Sequence, residues 1–247
     1  MLEITRACSV AQPGMTRDAR DESEPMAAFI FDLDGTLVDS VYQHVLAWHT
    51  SLRDCGFDLS VWKIHRRIGM SGGLLMRALT RELGVADVDE ATAERLRRRH
   101  KEEYLRLLPQ VRPLPGAIEL LRELTRSKVK WAIATSGGLE TAKPALGMLE
   151  IPASVPIVTR DQVKRAKPDP DLFLRAAEQL GVDATQAMAV GDSVWDMLAA
   201  RRANFLGIGI LAGGYGEQEL VQTGAYRVYA DPQEMLLHLD ELGVRDD

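Results

Sequence analysis

The residues Ala27-Ala28-Phe29-Ile30-Phe31-Asp32-Leu33-Asp34-Gly35-Thr36 indicate the fold class more clearly than any other part of the sequence. Its apolar residues do not alternate with polar ones, which predicts a strand covered on both faces, as in a parallel sheet. Two aspartates follow the strand, and Gly35 then lets the chain turn sharply. Because open α/β sheets bind ligands outside the carboxyl ends of their strands, we expect functional side chains at this point.

Similar apolar runs recur along the second half of the chain, and helical patterns separate them. Repeated strand and helix units predict a doubly wound α/β fold with a parallel sheet and right-handed crossovers. The predicted strands are 27–31, 129–134, 155–158, 187–190, 206–210 and a weaker one at 227–229. The helical patterns cover 117–125, 140–149, 171–180, 194–203 and 232–242.

The region after the first strand breaks this rhythm, because it contains no convincing strand. Helical patterns near 41–55, 60–67, 72–83 and 89–108 predict an inserted helical cap domain over 41–109. The α/β core domain then comprises 26–40 and 110–247. Residues 1–25 are polar and lack the continuous apolar core of a signal peptide, so we expect a disordered tail there.

Composition narrows the possible partners. The 247 residues carry 30 Lys plus Arg and 36 Asp plus Glu, a net charge of −6, which argues against the basic face that nucleic-acid binding needs. No apolar run approaches the roughly 18 residues of a membrane helix. The two cysteines show no metal or redox spacing, which favours a reducing cytoplasm. Small anionic substrates stay possible, and monomer and homodimer are both open.

Four polar clusters lie at predicted strand ends or helix starts. Asp32 and Asp34 suit one carboxylate as nucleophile and the other as proton donor. The hydroxyls of Thr135 and Ser136, with free amides before a helix, suit an anion. Lys167 can neutralise a phosphate or keep an acidic nucleophile charged. Taken singly, each has an ordinary explanation as a solvated turn, a helix cap or a solvated lysine.

The fourth cluster is Gly191-Asp192-Ser193-Val194-Trp195-Asp196. Asp192 and Asp196 are four residues apart, so they lie on one side of a helix that begins near Ser193. Their hard oxygens suit Mg²⁺, which uses few protein carboxylates. The alternative is an aspartate that caps the helix and favours its dipole.

Taken in order, the four clusters resemble the motifs of the haloacid dehalogenase superfamily of aspartate-nucleophile hydrolases, over about residues 27–231. The resemblance implies that Asp32 attacks phosphorus and forms an aspartyl-phosphate, while Asp34 protonates the leaving oxygen and then activates water. It implies that Thr135 and Lys167 hold the phosphoryl oxygens. It also implies Mg²⁺ as cofactor, and the implied ligands are the Asp32 carboxylate, the Asp34 backbone carbonyl and Asp192, with Asp196 nearby or acting through water.

Two further expectations concern Asp34. The dehalogenases that named the superfamily lack an acid at that position, so phosphatase chemistry is favoured. A free aspartate has a pKa near 3.9, and a proton donor at neutral pH needs a higher value. We expect burial and the neighbouring carboxylates to raise the pKa of Asp34.

The helical region resembles the caps of phosphoglycolate phosphatases and β-phosphoglucomutases. There a histidine follows the hinge, which makes His44 a candidate near Asp34 or the substrate, and Arg67 is a candidate for an anionic substrate tail. The loop Gly69-Met70-Ser71-Gly72-Gly73 lacks the arginine with which the mutases grip a distal phosphate. His100 shows no ligand spacing, and Trp48 is expected to pack in the core.

The sequence therefore predicts a Mg²⁺-dependent phosphatase of a small phosphorylated metabolite, either phosphoglycolate-like or a sugar phosphate. A phosphomutase is the second interpretation. A non-catalytic binding or regulatory protein on the same fold is the third, although the intact set of Asp32, Asp34, Lys167 and Asp192 weighs against it.

Overall fold

A computed structural model of the chain describes residues 28–70, 72–84 and 88–244. The tail expected at 1–25 and Ser71 of the cap loop lie outside the described residues. The described chain forms a six-stranded parallel sheet in the order β3-β2-β1-β4-β5-β6. Its strands are β1 Ala28–Phe31, β2 Trp131–Ala134, β3 Ile157–Val158, β4 Ala187–Gly191, β5 Leu206–Ile210 and β6 Ala225–Tyr229.

The sheet is covered by helices on both faces, which confirms the predicted fold class. Successive side chains of a strand point to opposite faces. Phe29 and Phe31 accordingly pack in one hydrophobic cluster, and Ile30 packs in another on the opposite side. All four residues of β1 are fully buried, as the unbroken apolar run indicates. β1 pairs with β2 on one side and β4 on the other, so three strand ends meet around Asp32.

Ten α-helices are found in the part of the chain that the structure describes. The first four follow β1: α1 Val41–Asp54, α2 Val61–His65, α3 Gly72–Glu82 and α4 Glu90–Leu107. The others are α5 Ala117–Arg126, α6 Leu139–Leu146, α7 Asp171–Leu180, α8 Val194–Ala203, α9 Glu217–Thr223 and α10 Pro232–Leu237. No helix within these described ranges has the length and apolar character needed to cross a membrane.

The segment from α1 to α4, here called the helical segment, has a hydrophobic cluster of its own. Val45, Trp48 and Leu52 on α1 pack with Leu79 on α3 and Leu96 on α4. The helices occur where the sequence predicts them, and the segment leaves the sheet directly after Asp34.

The structure differs from the predicted elements at several places, among them β3, the last helix and α9. β3 begins at Ile157 rather than 155, because Pro156 has no N–H to donate to the sheet. The last helical pattern stops at Leu237 and continues as a separate 3-10 turn. The helix α9 was not predicted, since it is short and directly follows the glycine-rich run that ends at Gly216.

Candidate active site

Three buried carboxylates and one buried ammonium meet where β1 and β4 end. Asp32 follows β1, while Asp192 and Asp196 follow β4. Lys167 Nζ lies 2.5 Å from Asp32 Oδ1 and 2.8 Å from Asp196 Oδ1, and neither Lys167 nor Asp196 has exposed surface. The structure thus brings Lys167 against the predicted nucleophile, which is one of the two roles that the sequence suggested for it.

Local structure explains how Asp196 is held. α8 begins after Ser193, whose side chain accepts a hydrogen bond from the Asp196 amide, while Asp196 Oδ2 accepts from the Ser193 amide at 3.1 Å and from its hydroxyl at 2.5 Å. This reciprocal cap satisfies the first amides of the helix. It also directs the other carboxylate oxygen of Asp196 toward Lys167.

The charges in this cluster are unbalanced. Burial raises the pKa of Asp32 to about 7, although the ammonium of Lys167 opposes the rise. Burial, together with the charges of Asp196 and Asp32, raises the pKa of Asp192 well above its usual value. Burial disfavours the charged form of Lys167, but the two carboxylates outweigh that effect and raise its pKa. The cluster therefore favours the binding of an additional cation.

The donor set fits a divalent metal ion. One oxygen each from Asp32, Asp192 and Asp196 lies within 4.8 Å of the others. Hard carboxylate oxygens in a small group are the ligands that Mg²⁺ prefers in proteins. A bound divalent ion would also compensate the negative charge that Lys167 leaves unpaired.

Two glycines shape the pocket around Asp192. A Cβ on Gly213 would lie 1.7 Å from Asp192 Oδ2, and one on Gly35 would lie 2.7 Å from the same oxygen. Gly35 also has φ +81°, a conformation that side chains rarely adopt. Thr36 donates a hydrogen bond to Asp192 Oδ1 at 3.2 Å. The carboxylate of Asp192 is thus held between two backbone segments that permit no side chain.

The loop after β2 only partly matches its prediction. Thr135 and Ser136 line the same cavity as Asp32, as expected. Two of the amides in this loop are engaged, however: the Gly137 amide donates to Thr135 Oγ1 at 3.0 Å, and the Leu139 amide donates to Asp161 Oδ2 at 2.7 Å. Those two amides are therefore not free for an anion, and the anion site at this loop stays a prediction.

Asp34 is partly buried and is held by two donors. Ser40 Oγ donates to Asp34 Oδ1 at 2.5 Å, and His44 Nε2 lies 3.3 Å from the same oxygen. Burial opposes ionisation of Asp34, but the charge and hydrogen bond of His44 and the hydrogen bond of Ser40 outweigh it. They lower the pKa of Asp34. His44 therefore lies near Asp34, as one of its two predicted placements has it. The expectation of a raised pKa is wrong, because it counted burial and neighbouring acids but not the effect of His44 and Ser40 on the pKa of Asp34.

His44 belongs to a cluster of four aromatic rings between α1 and α4. Its ring stacks on Tyr104 with centroids 3.8 Å apart, and its Nδ1 lies 3.1 Å from His100 Nε2. The His100 ring in turn stacks on Trp48 at 4.2 Å. Burial, followed by the charge of His44, lowers the pKa of His100 well below its usual value.

The sequence analysis did not predict that His100 and Trp48 contact each other beside His44. The available signal was the spacing of four residues between His44 and Trp48 and again between His100 and Tyr104, which places each pair on one helix face. Sequence alone does not show that the two faces meet.

A cavity of about 580 Å³ lies between the helical segment and the sheet edge. It is lined by Asp32, Asp34, Asp192, His44, His100, Trp48, Met70, Arg97, Lys101, Thr135, Ser136 and Arg160, among others. Arg67 is not among its lining residues and instead pairs with Glu82 at 2.8 Å. The structure does not bring this predicted substrate ligand to the site.

Direct contacts hold the helical segment over the cavity. Ser136 donates a hydrogen bond to the Gly69 carbonyl at 2.9 Å, and His65 Nε2 lies 2.8 Å from the Gly213 carbonyl oxygen. The Tyr215 hydroxyl donates to the Arg66 carbonyl at 3.1 Å. The run from Gly213 to Gly216 therefore contacts the helical segment through two of these hydrogen bonds.

Comparison with known proteins gives concordant results. Residues 26–204 match the family model described as haloacid dehalogenase-like hydrolase. Hexitol phosphatase A of Escherichia coli K12 is 33% identical over 177 residues, which are 71% of this chain and 78% of that protein. A phosphoglycolate phosphatase of Rhodospirillum rubrum is 30% identical over 210 residues, or 83% of this chain and 87% of that protein.

The fold is also found in a solved structure of higher sequence similarity. The crystal structure of a hydrolase from Pseudomonas syringae has 50% sequence identity and a TM-score of 0.85. The match covers 88% of this chain and 99% of that one.

Proposed function

We propose a specific activity for this chain, which belongs to the haloacid dehalogenase-like hydrolases and is a phosphoric monoester hydrolase. The proposed activity is that of a Mg²⁺-dependent phosphatase of a small phosphorylated metabolite. The observation that carries the proposal is the buried group of Asp32, Lys167, Asp192 and Asp196, of which Asp32 and Asp192 line a large cavity. Such a group places a nucleophile and compensating charge at one point, which phosphoryl transfer requires.

Asp32 is the proposed nucleophile. Its carboxylate attacks phosphorus, the bond from phosphorus to the leaving oxygen breaks, and an aspartyl-phosphate forms. Lys167, 2.5 Å away, opposes the rise in pKa that burial causes and so favours the ionised carboxylate. When bound by Asp32, Asp192, Asp196 and the Asp34 carbonyl, Mg²⁺ would offset negative charge on the phosphoryl oxygens. Thr135 and Ser136 are proposed to contact those oxygens from the opposite loop.

Asp34 is the proposed acid and base. Ser40 and His44 both reach Oδ1, so Oδ2 is the oxygen proposed to face the substrate. The lowered pKa makes Asp34 a carboxylate before substrate arrives. An arriving phosphate adds negative charge, which raises the pKa of Asp34 and favours uptake of a proton. Asp34 then gives that proton to the leaving oxygen and later takes one from the attacking water.

The helical segment, corresponding to the cap predicted at 41–109, is proposed to close over the bound substrate. The hydrogen bonds of Gly69, His65 and Arg66 to the core support this, because they join the helical segment to the core by contacts that can break and form again. Closure excludes water from the phosphoryl group until Asp34 activates it.

The cavity favours a substrate larger than a two-carbon acid. Its volume of about 580 Å³ leaves room for a leaving group the size of a sugar or a hexitol, and polar and aromatic residues line it together. The relative that acts on hexitol phosphates supports the same class. We therefore place sugar and hexitol phosphates ahead of phosphoglycolate as the proposed substrates.

The test is a phosphatase assay with p-nitrophenyl phosphate, followed by a panel of hexitol phosphates, sugar phosphates and phosphoglycolate. EDTA should abolish phosphate release and Mg²⁺ should restore it. Full activity in metal-free buffer would contradict the metal assignment. Conversion of β-glucose 1-phosphate to glucose 6-phosphate would instead identify a mutase, and binding without any turnover would identify a non-catalytic protein.

A further inference from the structure

We propose that His100 is a positioning residue of this site, which orients His44 and through it the carboxylate of Asp34. This inference rests on the proposed role of Asp34 as acid and base. His100 lies on α4, outside all four sequence clusters, and contacts Asp34 only through His44.

The hydrogen bonds define what His100 must supply. A carboxylate oxygen only accepts, so the hydrogen between His44 Nε2 and Asp34 Oδ1 belongs to His44. Nδ1 of His44 then accepts a hydrogen bond when the ring is neutral and donates one when the ring is protonated. The imidazole of His100 matches both states, because its Nε2 donates in one tautomer and accepts in the other.

The stacked rings leave one rotation to be fixed. Tyr104 lies flat against His44, with ring planes 6° apart, and this stacking restricts tilting of the imidazole. It does not distinguish the two ring orientations related by a 180° rotation about the Cβ–Cγ bond, which exchange the ring nitrogens with carbons. Hydrogen bonds at the two nitrogens, to Asp34 and to His100, together select one of these orientations. Trp48 orients His100 in the same way.

The orientation bears on both proton transfers. In the first step, Asp34 gives its proton to the leaving oxygen as that oxygen separates from phosphorus and Asp32 bonds to it. The new Asp34 carboxylate accepts the His44 hydrogen bond. In the second step, Asp34 takes a proton from water as the water oxygen bonds to phosphorus and the bond to Asp32 breaks. His100 exchanges no proton with the substrate in either step.

The test compares variants that separate ring packing from hydrogen bonding. His100→Phe keeps a flat ring against Trp48 but has no hydrogen-bonding nitrogen. His100→Gln places an amide that both donates and accepts, and His100→Met is its counterpart of similar shape without hydrogen bonds. Each is assayed for kcat/KM with p-nitrophenyl phosphate and with phenyl phosphate, whose leaving group is less acidic and depends more on a proton.

We expect His100→Phe and His100→Met to lower kcat/KM for phenyl phosphate by about 10-fold to 100-fold, with a smaller loss for p-nitrophenyl phosphate. His100→Gln should recover most of the loss. In a His44→Gln background, His100→Phe should add no further loss, because His100 acts through His44. Equal losses for both substrates, or losses that add in the double variant, would overturn the proposal.

Asp34→Asn distinguishes failure of this inference from failure of the proposed function. If Asp34→Asn slows both substrates equally, the role of Asp34 is wrong and the premise falls. If Asp34→Asn discriminates between the substrates and the His100 variants do not, only the role of His100 is wrong. Melting curves of all variants identify any loss that comes from unfolding, and the Gln and Met pair then decides in place of Phe.

Discussion

Lys167 has no exposed surface and contacts two carboxylates, so we expect its replacement to have a large effect on stability. Removing one partner of a buried ion pair leaves charge uncompensated and costs about 3–5 kcal/mol. We expect that loss in the free energy of unfolding for Lys167→Met at pH 7, measured by urea titration.

The loss should shrink as the pH falls. In the variant, carboxylates such as Asp32, whose pKa burial already raises to about 7, take up protons and cease to repel one another. Lys164→Met, at an exposed position, serves as control and should change little at either pH. A loss for Lys167→Met that is the same at pH 5 and pH 7 would show that repulsion between carboxylates is not its cause.

Asp32 and Asp34 have separable duties in the proposed mechanism. Asp32→Asn should lower turnover by at least about 1,000-fold, because no covalent intermediate forms without the nucleophile. Asp34→Asn should still be phosphorylated by p-nitrophenyl phosphate but lose the base for hydrolysis, so the phosphorylated protein accumulates. The measurement is covalent phosphate in acid-quenched protein.

Asp39→Asn is the matched control for this pair, since Asp39 is an exposed carboxylate on the same turn. It should retain turnover close to that of the unaltered protein. Covalent phosphate on Asp32→Asn would show that another residue is the nucleophile.

At the scale of elements, the turn that begins at Gly213 determines the shape of the metal site. A Cβ at Gly213 would lie 1.7 Å from Asp192 Oδ2, so Gly213→Ala must displace the carboxylate or the turn. We expect the apparent Mg²⁺ affinity to fall by about 10-fold or more, since a displaced ligand loses its metal geometry. A Mg²⁺ titration of phosphatase activity measures this affinity.

Gly216→Ala is the control, because a Cβ at Gly216 would be 3.6 Å from its nearest neighbour, Glu219, and is tolerated. An unchanged Mg²⁺ affinity in Gly213→Ala would show that Asp192 does not need this close backbone contact to bind the ion.

Most strands and helices can be predicted from the sequence alone. Strand runs and helical periods predict β1, β4 and β5 and the four helices of the helical segment, because burial and helical period are properties of neighbouring residues. The clusters around Asp32, Lys167 and Asp192 were predicted because each follows a strand or precedes a helix. They meet at one sheet edge, as parallel topology requires.

What was missed depends on contacts between distant elements. His100 reaches Asp34 only through the packing of α4 against α1, and no spacing within either helix reveals that register. The pKa of Asp34 was predicted wrongly for the same reason. The sequence does not show that the side chains of Ser40 and His44 at the start of α1 point toward Asp34. Arg67 was predicted to bind the substrate because of its charge, but its guanidinium forms an ion pair with Glu82 on α3 instead.

At the scale of the whole molecule, metal binding and stability should be linked through pH. The pKa of Asp32 rises from 3.8 to about 7 on folding, so between those values the folded protein holds a proton that the unfolded chain has lost. Without metal, this group makes the protein less stable as pH rises through that window. Mg²⁺ must displace the proton below pH 7 and meets no such competition above it.

We therefore expect Mg²⁺ to raise the melting temperature more at pH 8 than at pH 6. As the pH is lowered below 7, the apparent Mg²⁺ affinity should fall by up to about 10-fold per pH unit for each proton displaced. Thermal melts over a Mg²⁺ series at both pH values test this. Asp192→Asn should lose the Mg²⁺ effect, whereas Asp58→Asn, at an exposed position, should keep it. A larger Mg²⁺ effect at pH 6 would contradict the assignment.

The peptide around Gly213 has a double attachment. Its α-carbon lies against Asp192, and its carbonyl oxygen lies 2.8 Å from His65 on α2. A movement of α2 and a movement of the Asp192 carboxylate would both displace the Gly213 peptide. The two movements therefore have a coupling free energy. Such coupling is reciprocal: if closure tightens the hold on an ion by some factor, the ion favours closure by that same factor. The turn at Gly213 would then couple metal binding at Asp192 to the position of α2.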